Sequence, residues 1–316
     1  MVVVFGSVNA DLVARVETLP KEGETQTAAG YAVHAGGKGA NQALAARRAG
    51  AEVALFGAVG RDGFAELALA TLRDTGIDLS GLAVTDHPTG IALIHVDARG
   101  RNAITVVPGA NADARAAAVA DSSLAPTTTV VLQFEVPHAE VASLAARARS
   151  RGARVILNVA PPAPLPEALL AAVDVLVVNE HEAAFVARES GLPSDPAGFC
   201  SAAADRWKLA AVVTLGADGL VAADAGHRYR VPAAPVDVRD TTAAGDAFVG
   251  ALAAALDRGA TLREALAEGV AAGSHACTGD GAQPSIGRRE QWLDRARDVA
   301  AASTADPRPA SRPLRR

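Results

Sequence analysis

Val175-Leu176-Val177-Val178 runs directly into Asn179-Glu180-His181-Glu182 and then into the helical spacing of Glu182–Glu189. Four apolar, mostly β-branched residues are too few for a helix; they read as a strand buried on both faces. A strand followed at once by a helix is the repeating unit of a parallel sheet. The unit recurs on both sides of this stretch. Val2–Phe5, Val130–Leu132, Val155–Leu157 and Val212–Leu215 are short apolar runs of the same kind, and Ala40–Ala49 and Ala139–Arg149 are Ala-rich segments with helical spacing. Strand alternating with helix predicts an α/β fold: a doubly wound, mostly parallel central sheet flanked by helices.

Two regions break the rhythm. Asp11–Arg15 and Gln26–His34 read as extended segments joined by a turn at Pro20 and Gly23, and Gly90–Asp97 and Asn102–Val107 flank the hairpin signal Ala98-Arg99-Gly100-Arg101. With no helix between them, these four strands are expected to form a small β-sheet lid, from about 11–34 and 90–107, over the edge of the main sheet. One α/β domain is therefore expected over 1–300. The Pro- and Arg-rich end, Asp306–Arg316, predicts a disordered tail over 301–316.

Composition narrows the function classes. Half of the 316 residues are hydrophobic, which permits a sizeable core, and only 3% are aromatic, so that core must be built from Val, Leu, Ile and Ala. A net charge of −5 gives no basic footprint for nucleic acid or an anionic membrane. Cys200 and Cys277 stand alone, outside any Cys/His cluster, which suits a reducing compartment and argues against structural zinc. The first residues read as a strand and not as a signal peptide, and no apolar run reaches the length of a membrane span. The cytoplasm is the default address.

The stretch richest in chemistry is Asp240-Thr241-Thr242-Ala243-Ala244-Gly245-Asp246, leading into an apolar helix at Ala247–Leu256. A helix N-terminus presents unpaired N–H groups and the positive end of the dipole. Small residues let an anion approach those amides. Asp246 then stands in the first turn beside the anion, placed to take a proton from an attacking hydroxyl. Asp also favours this end of a helix as a cap, and on that preference alone both roles are served equally.

Gly36-Gly37-Lys38-Gly39-Ala40-Asn41-Gln42-Ala43 also passes from an extended segment into a helix. Gly39 after Lys38 excludes a Walker A loop, and Gln42 where a third Gly belongs excludes a dinucleotide fingerprint. What remains is a Gly-rich turn with Lys38 and Asn41 pointing into the same space, or an ordinary tight strand–helix turn. Asn9 and Asp11, in Gly6-Ser7-Val8-Asn9-Ala10-Asp11, follow the first strand and suit either a polyol or an Asx-type turn. Glu135 has the same ambiguity after Val130–Leu132. Glu180 and Glu182 suit Mg²⁺ held through water, or the customary acidic first turn of a helix.

Together these stretches resemble the ribokinase family, the sugar kinases of the PfkB group, over roughly residues 1–300. Asp240–Asp246 is similar to the family's C-terminal signature, Gly36–Ala43 to its N-terminal signature and Asn179–Glu182 to its N-x-x-E motif. Gly6–Asp11, Gly36–Ala43 and Pro88–Ala92 are most similar to the ribose kinases within it. The resemblance implies ATP-dependent phosphorylation of D-ribose at its 5-hydroxyl. Asp246 is implied as base, and Ala243, Ala244 and Gly245 as an anion hole. Asn9, Asp11, Gly37, Lys38, Asn41 and Glu135 are implied to grip the pentose. Asn179, Thr214, Gly216, Gly219 and Gly245 are implied to line the nucleotide cleft, with Glu182 serving Mg²⁺. Asp240, Thr242, Ala276, Gly279, Gly281 and Ser285 are implied as a K⁺ site, although the family commonly has Arg where Gly279 stands. His275 replaces a usual apolar residue, and a place near the adenine is expected for it. The resemblance further implies a homodimer made through the lids. Kinases of deoxyribose, a hexose or a nucleoside share the fold, as does a sugar sensor without catalysis; intact Asp246 argues against the sensor.

Overall fold

The computed structural model describes residues 1–308. Its strands are β1 Val2–Phe5, β2 Asn9–Arg15, β3 Gly30–Gly36, β4 Val53–Gly60, β5 Leu82–Thr85, β6 Gly90–Val96, β7 Asn102–Val107, β8 Thr129–Leu132, β9 Arg154–Asn158, β10 Val175–Asn179, β11 Ala210–Thr214, β12 Leu220–Ala223, β13 His227–Val231 and β14 Thr304–Pro307. The helices are α1 Lys38–Arg48, α2 Gly63–Asp74, α3 His138–Ser150, α4 Glu167–Leu170, α5 Glu180–Ser190, α6 Pro196–Trp207, α7 Ala244–Asp257, α8 Leu262–Ala276, α9 Ala282–Ser285 and α10 Arg289–Ala302.

The main sheet runs β14-β13-β12-β11-β10-β9-β8-β1-β4-β5. From β11 to β5 every neighbouring pair is parallel. Its central strands bury both faces, and alternate residues enter opposite cores. Val2, Val4, Val131, Ile156, Val175 and Val177 face the core built on α1, α7, α8 and α10. Val3, Phe5, Val130, Leu132, Leu157, Leu176 and Val178 face the core built on α3, α5 and α6. The period of two is why each run reads as continuously apolar.

One edge of the sheet departs from the doubly wound expectation, because β12, β13 and β14 are antiparallel. The turn between β12 and β13 leaves no room for a crossover helix. Asp224 builds that turn: its carboxylate accepts from the Gly226 and His227 N–H groups at 2.8 Å and from Tyr229 Oη at 2.6 Å. The disordered tail expected over 301–316 is corrected at its start. α10 continues through Ala302, and β14 pairs Thr304–Pro307 with Arg230–His227. Arg308 then donates to the Asp205 carboxylate. Residues 309–316 lie outside the described residues.

The lid forms as expected: a separate four-stranded sheet in the order β3-β2-β6-β7. β2 begins at Asn9 rather than Asp11, and β3 at Gly30 rather than Gln26. The Gln26 side chain instead bonds Thr18 within the connecting loop, at 3.1 Å. The lid packs on α2 and, through β3, on α9.

Candidate active site

The parallel strands end on one edge of the sheet, where ligands of open α/β folds bind. Glu135 follows β8, Asn158 ends β9, Asn179 ends β10 and Thr214 ends β11. The N-termini of α1 and α7 reach the same edge. These two helices lie unusually close, because Gly250 on α7 sits against α1 with no room for a side chain. A Cβ there would fall 2.4 Å from Ala45 Cβ and 2.6 Å from the Gln42 carbonyl oxygen. The close approach brings Asn41 and Gln42 of α1 onto Asp246 of α7.

Asp246 is the third residue of α7, buried to 7% exposure. Asn41 Nδ2 donates to one of its carboxylate oxygens at 3.0 Å, and Gln42 Nε2 to the other at 2.9 Å. Helix geometry leaves the first-turn amides of α7 without intrahelical partners. Ala243, the residue before the helix, has φ 60°, in the left-handed region. That conformation is unfavourable for alanine and persists where the surroundings impose it. Ala243, Gly245 and Asp246 line a cleft of about 230 Å³ together with Lys38, Asn158, Asn179, Glu182 and Thr214.

The residues assigned to the sugar surround Lys38. Glu135 accepts from Ser7 Oγ at 2.6 Å and from the Lys38 backbone N–H at 3.1 Å, which ties the start of α1 to the end of β8. Burial alone would push the Lys38 ammonium down, but Asp246, Glu135, Glu182 and Asp11 outweigh it and hold the group above its ordinary value. Burial pushes the Asp11 carboxyl up to about 7, helped by Glu135 and Asp246 and opposed by Lys38. Gly36 keeps room for that carboxyl, since a Cβ there would meet it at 2.1 Å. Asn9, buried to 2% exposure, accepts from Asn111 Nδ2 at 2.7 Å. Asn111 is itself locked by the Val8 N–H and C=O at 2.9 and 3.2 Å. Gly37, at φ 90°, lies against the Asn9 backbone, so the whole sugar set converges.

On the other side of Gly245 a larger, mostly apolar pocket of about 690 Å³ opens. Thr214, Gly216 and Gly219 line it, with Val236, Val270 and Cys277 among its apolar walls. Asn179 and Glu182 form a complete capping box: Asn179 Oδ1 accepts from the Glu182 N–H and a Glu182 oxygen accepts from the Asn179 N–H, both at 2.8 Å. The capping reading holds, and the capping pair also lines the cleft. Burial raises the Glu182 carboxyl, against the Asn179 N–H and Lys38. A divalent cation nearby would favour its charged form. Among the described residues no three His, Cys, Asp or Glu gather into a metal cage. A single carboxylate that leaves the remaining ligands to phosphate and water fits Mg²⁺.

Asp240 ties the loop before α7 to the segment after α8. One oxygen accepts from Thr242 N–H and Oγ at 2.9 and 2.6 Å, the other from the Gly281 N–H at 2.9 Å. Burial opposes the charge, but these bonds and Arg15 of the lid hold the Asp240 carboxyl below its ordinary value. Gly279 packs on Ser285, where a Cβ would come within 3.0 Å of the serine Cβ.

His275, expected near the adenine, does not line the larger, apolar pocket. It is half-buried on Gly287, where any Cβ would meet the ring at 2.2 Å, and Arg295 Nη1 lies 3.5 Å from its Nδ1. Burial and then Arg295 push the imidazole below its ordinary value. Its place is structural, wedging α8 against the approach to α10. Gln42, Asn158, Asn111 and Ser7 are the site residues that sequence reasoning passed over. The available signal was polarity inside apolar surroundings: Gln42 interrupts an Ala-rich helix that is otherwise core.

The pfkB family carbohydrate kinase profile matches residues 1–288. The chain is 35% identical over 298 residues to a ribokinase of Haemophilus influenzae, covering 92% of this chain and 96% of that protein. A crystal structure of ribokinase from Thermotoga maritima superposes with TM-score 0.86 at 32% identity, covering 94% of this chain and 99% of that one. The ribokinase of Arabidopsis thaliana complexed with ribose and ATP superposes with TM-score 0.83 at 33% identity, covering 93% and 98%. With that match over nearly its whole length, and with the close of α1 on α7 that its signatures produce, the chain belongs to the pfkB family of carbohydrate kinases.

Proposed function

We propose that this protein transfers the γ-phosphoryl group of ATP to the 5-hydroxyl of D-ribose, with Asp246 as general base. One observation carries the reading most: Asp246 is buried at a helix N-terminus with both carboxylate oxygens held by amides, in a cleft it shares with Lys38 and Glu182. The ribose and ATP bound by the Arabidopsis relative support the substrate pair.

In this reading the sugar lies under the lid against Asn9, Asp11, Gly37, Lys38, Asn41 and Glu135. Asn41 Oδ1 is buried with no partner among the described residues, an acceptor suited to a sugar hydroxyl. Nucleotide occupies the apolar pocket and extends its phosphates past Gly245 toward Glu182 and Lys38. Asp246 takes the proton of the 5-hydroxyl as that oxygen bonds to the γ-phosphorus and the bond to the β-phosphate oxygen breaks, releasing ADP. The first-turn amides of α7 meet the charge on the transferring group. Mg²⁺ held through Glu182 neutralises phosphate charge when bound. K⁺ at the loop around Asp240 and Gly281 would keep the residues before α7 in shape. The lid exposes Tyr31, Leu93, Ile104, Val106 and Val107, an apolar surface that a second lid would cover in a homodimer. Two free cysteines agree with a reducing, cytoplasmic setting.

ATP consumption measured against ribose, deoxyribose, fructose and adenosine tests the assignment. Preference for ribose is expected. Preference for another acceptor would keep the family chemistry and void the pentose contacts, and tight ribose binding without turnover would favour a sensor.

A further inference from the structure

We infer that Gln42 is a positioning residue for the reaction, holding the Asp246 carboxylate through a relay of amides anchored in the central sheet; the inference rests on Asp246 serving as base. Asn158, at the end of β9, donates from Nδ2 to the Val177 carbonyl of β10 at 3.3 Å. That bond turns Asn158 Oδ1 toward Gln42, which donates to it from Nε2 at 3.1 Å. The second Nε2 hydrogen goes to Asp246 Oδ1 at 2.9 Å. With oxygen acceptors on both sides, the Gln42 amide has one orientation only. The relay thus runs from sheet backbone to carboxylate through Gln42, which is 0% exposed.

One end of the Gln42 amide carries a cost that its other end must justify. Gln42 Oε1 is buried with no partner among the described residues. Burying an unpaired acceptor is unfavourable. Met would fill the same volume without that orphan, but it would leave Asn158 Oδ1 and Asp246 Oδ1 without the Gln42 donor. What Gln supplies and Met cannot is the pair of N–H groups. Asn41 holds the other Asp246 oxygen, but it lies toward the sugar and is expected to engage substrate. Gln42 is the constraint that remains in place throughout turnover.

The test is Gln42→Met, alone and combined with Asp246→Asn, with kcat, both KM values and the melting temperature measured. Expected is a melting temperature lowered by the two acceptors left without a donor, with the fold intact by circular dichroism, KM for ribose and ATP changed little, and kcat lowered about ten- to a hundredfold, the worth of a hydrogen bond to a charged group. In the Asp246→Asn background the same change should lower kcat no further, because Gln42 acts through Asp246. Asn158→Leu, which removes the anchor, should lower kcat in the same direction by less. A native kcat in a folded Gln42→Met enzyme, or an equal loss in both backgrounds, would overturn the role. Near-native kcat in Asp246→Asn alone would instead remove the base assignment itself, and the two failures are thereby told apart.

Discussion

Gly250 offers a way to perturb the site without altering any residue in it. An alanine there would set its methyl 2.4 Å from Ala45 Cβ, 2.6 Å from the Gln42 carbonyl oxygen and 2.7 Å from the Ala46 nitrogen. Carbon atoms pack at roughly 3.5–4.0 Å, so α1 and α7 must part locally by about 1 Å. The Asn41 and Gln42 amides reach Asp246 at 3.0 and 2.9 Å. The same displacement takes both to about 4 Å, outside hydrogen-bonding range. Overpacking costs about 1–3 kcal/mol, exchanging a helical Gly for Ala returns about 1 kcal/mol, and each amide bond lost from the buried carboxylate costs ~1.5–3 kcal/mol more, so the folded state should lose several kcal/mol. Catalysis should suffer as well. Freed from both amides, Asp246 no longer holds one geometry, and kcat should fall about ten- to a hundredfold. The assay is steady-state ADP formation at saturating ribose and ATP, well below a melting temperature measured on the same sample. Native kcat in a Gly250→Ala protein that remains folded would refute the claim that helix spacing holds the base in place.

Four further outcomes are expected. Asp246→Asn should lower kcat about 10²–10⁴-fold, the usual worth of a general base, with the fold intact by circular dichroism. Asp11 has a folded value of about 7 against an ordinary 3.8, so the stability it contributes is fully present below the lower value and is lost as pH rises through the higher. Asp11→Asn should therefore raise the melting temperature of the sugar-free protein at about pH 8 and not at about pH 4, while weakening ribose binding; a pH-independent difference would contradict the electrostatic cause. Asn111→Leu should raise KM for ribose more than KM for ATP and destabilise by about 2 kcal/mol, because the Val8 amide and carbonyl lose their side-chain partner. Activity should be higher in K⁺ than in a large organic cation, and equal rates would remove the cation from the loop around Asp240.

The alternation of buried strand and helix was legible because both faces of the sheet are covered: residues such as Val2–Phe5 have no polar member to break the run. The lid was legible through its turns, which carry Gly23 and Gly100, both at positive φ. The antiparallel edge was not, since β12 is as short and apolar as a parallel strand, β13 is mostly charged and exposed, and direction is decided by the turn that Asp224 ties. β14 was hidden by its composition, because Thr304–Pro307 has neither β-branched repetition nor alternation and is held by pairing alone. At the site, Asp246, Lys38 and Glu135 could be named from their spacing to glycines and strand ends. Gln42, Asn158 and Asn111 could not, because their importance lies in which atom faces which, across sequence separations of 116, 204 and 102 residues. The Asn179–Glu182 motif shows the converse: its capping and its position in the cleft are compatible, so a sequence argument that sets them against each other poses a false choice.

The pairing of β14 with β13 bears on how this molecule avoids self-association. A chain cut at residue 300 would strip the strand from the sheet and leave the β13 N–H and C=O groups without partners. An open strand of that kind is a template on which another chain can add itself. The intact sheet ends instead on four residues that finish at Pro307, which has no N–H to offer, followed by Arg308 held to Asp205. The Pro- and Arg-containing segment at the end of the fold thus works as a seal against aggregation, so trimming it in pursuit of a tidier protein would be expected to produce a less soluble one.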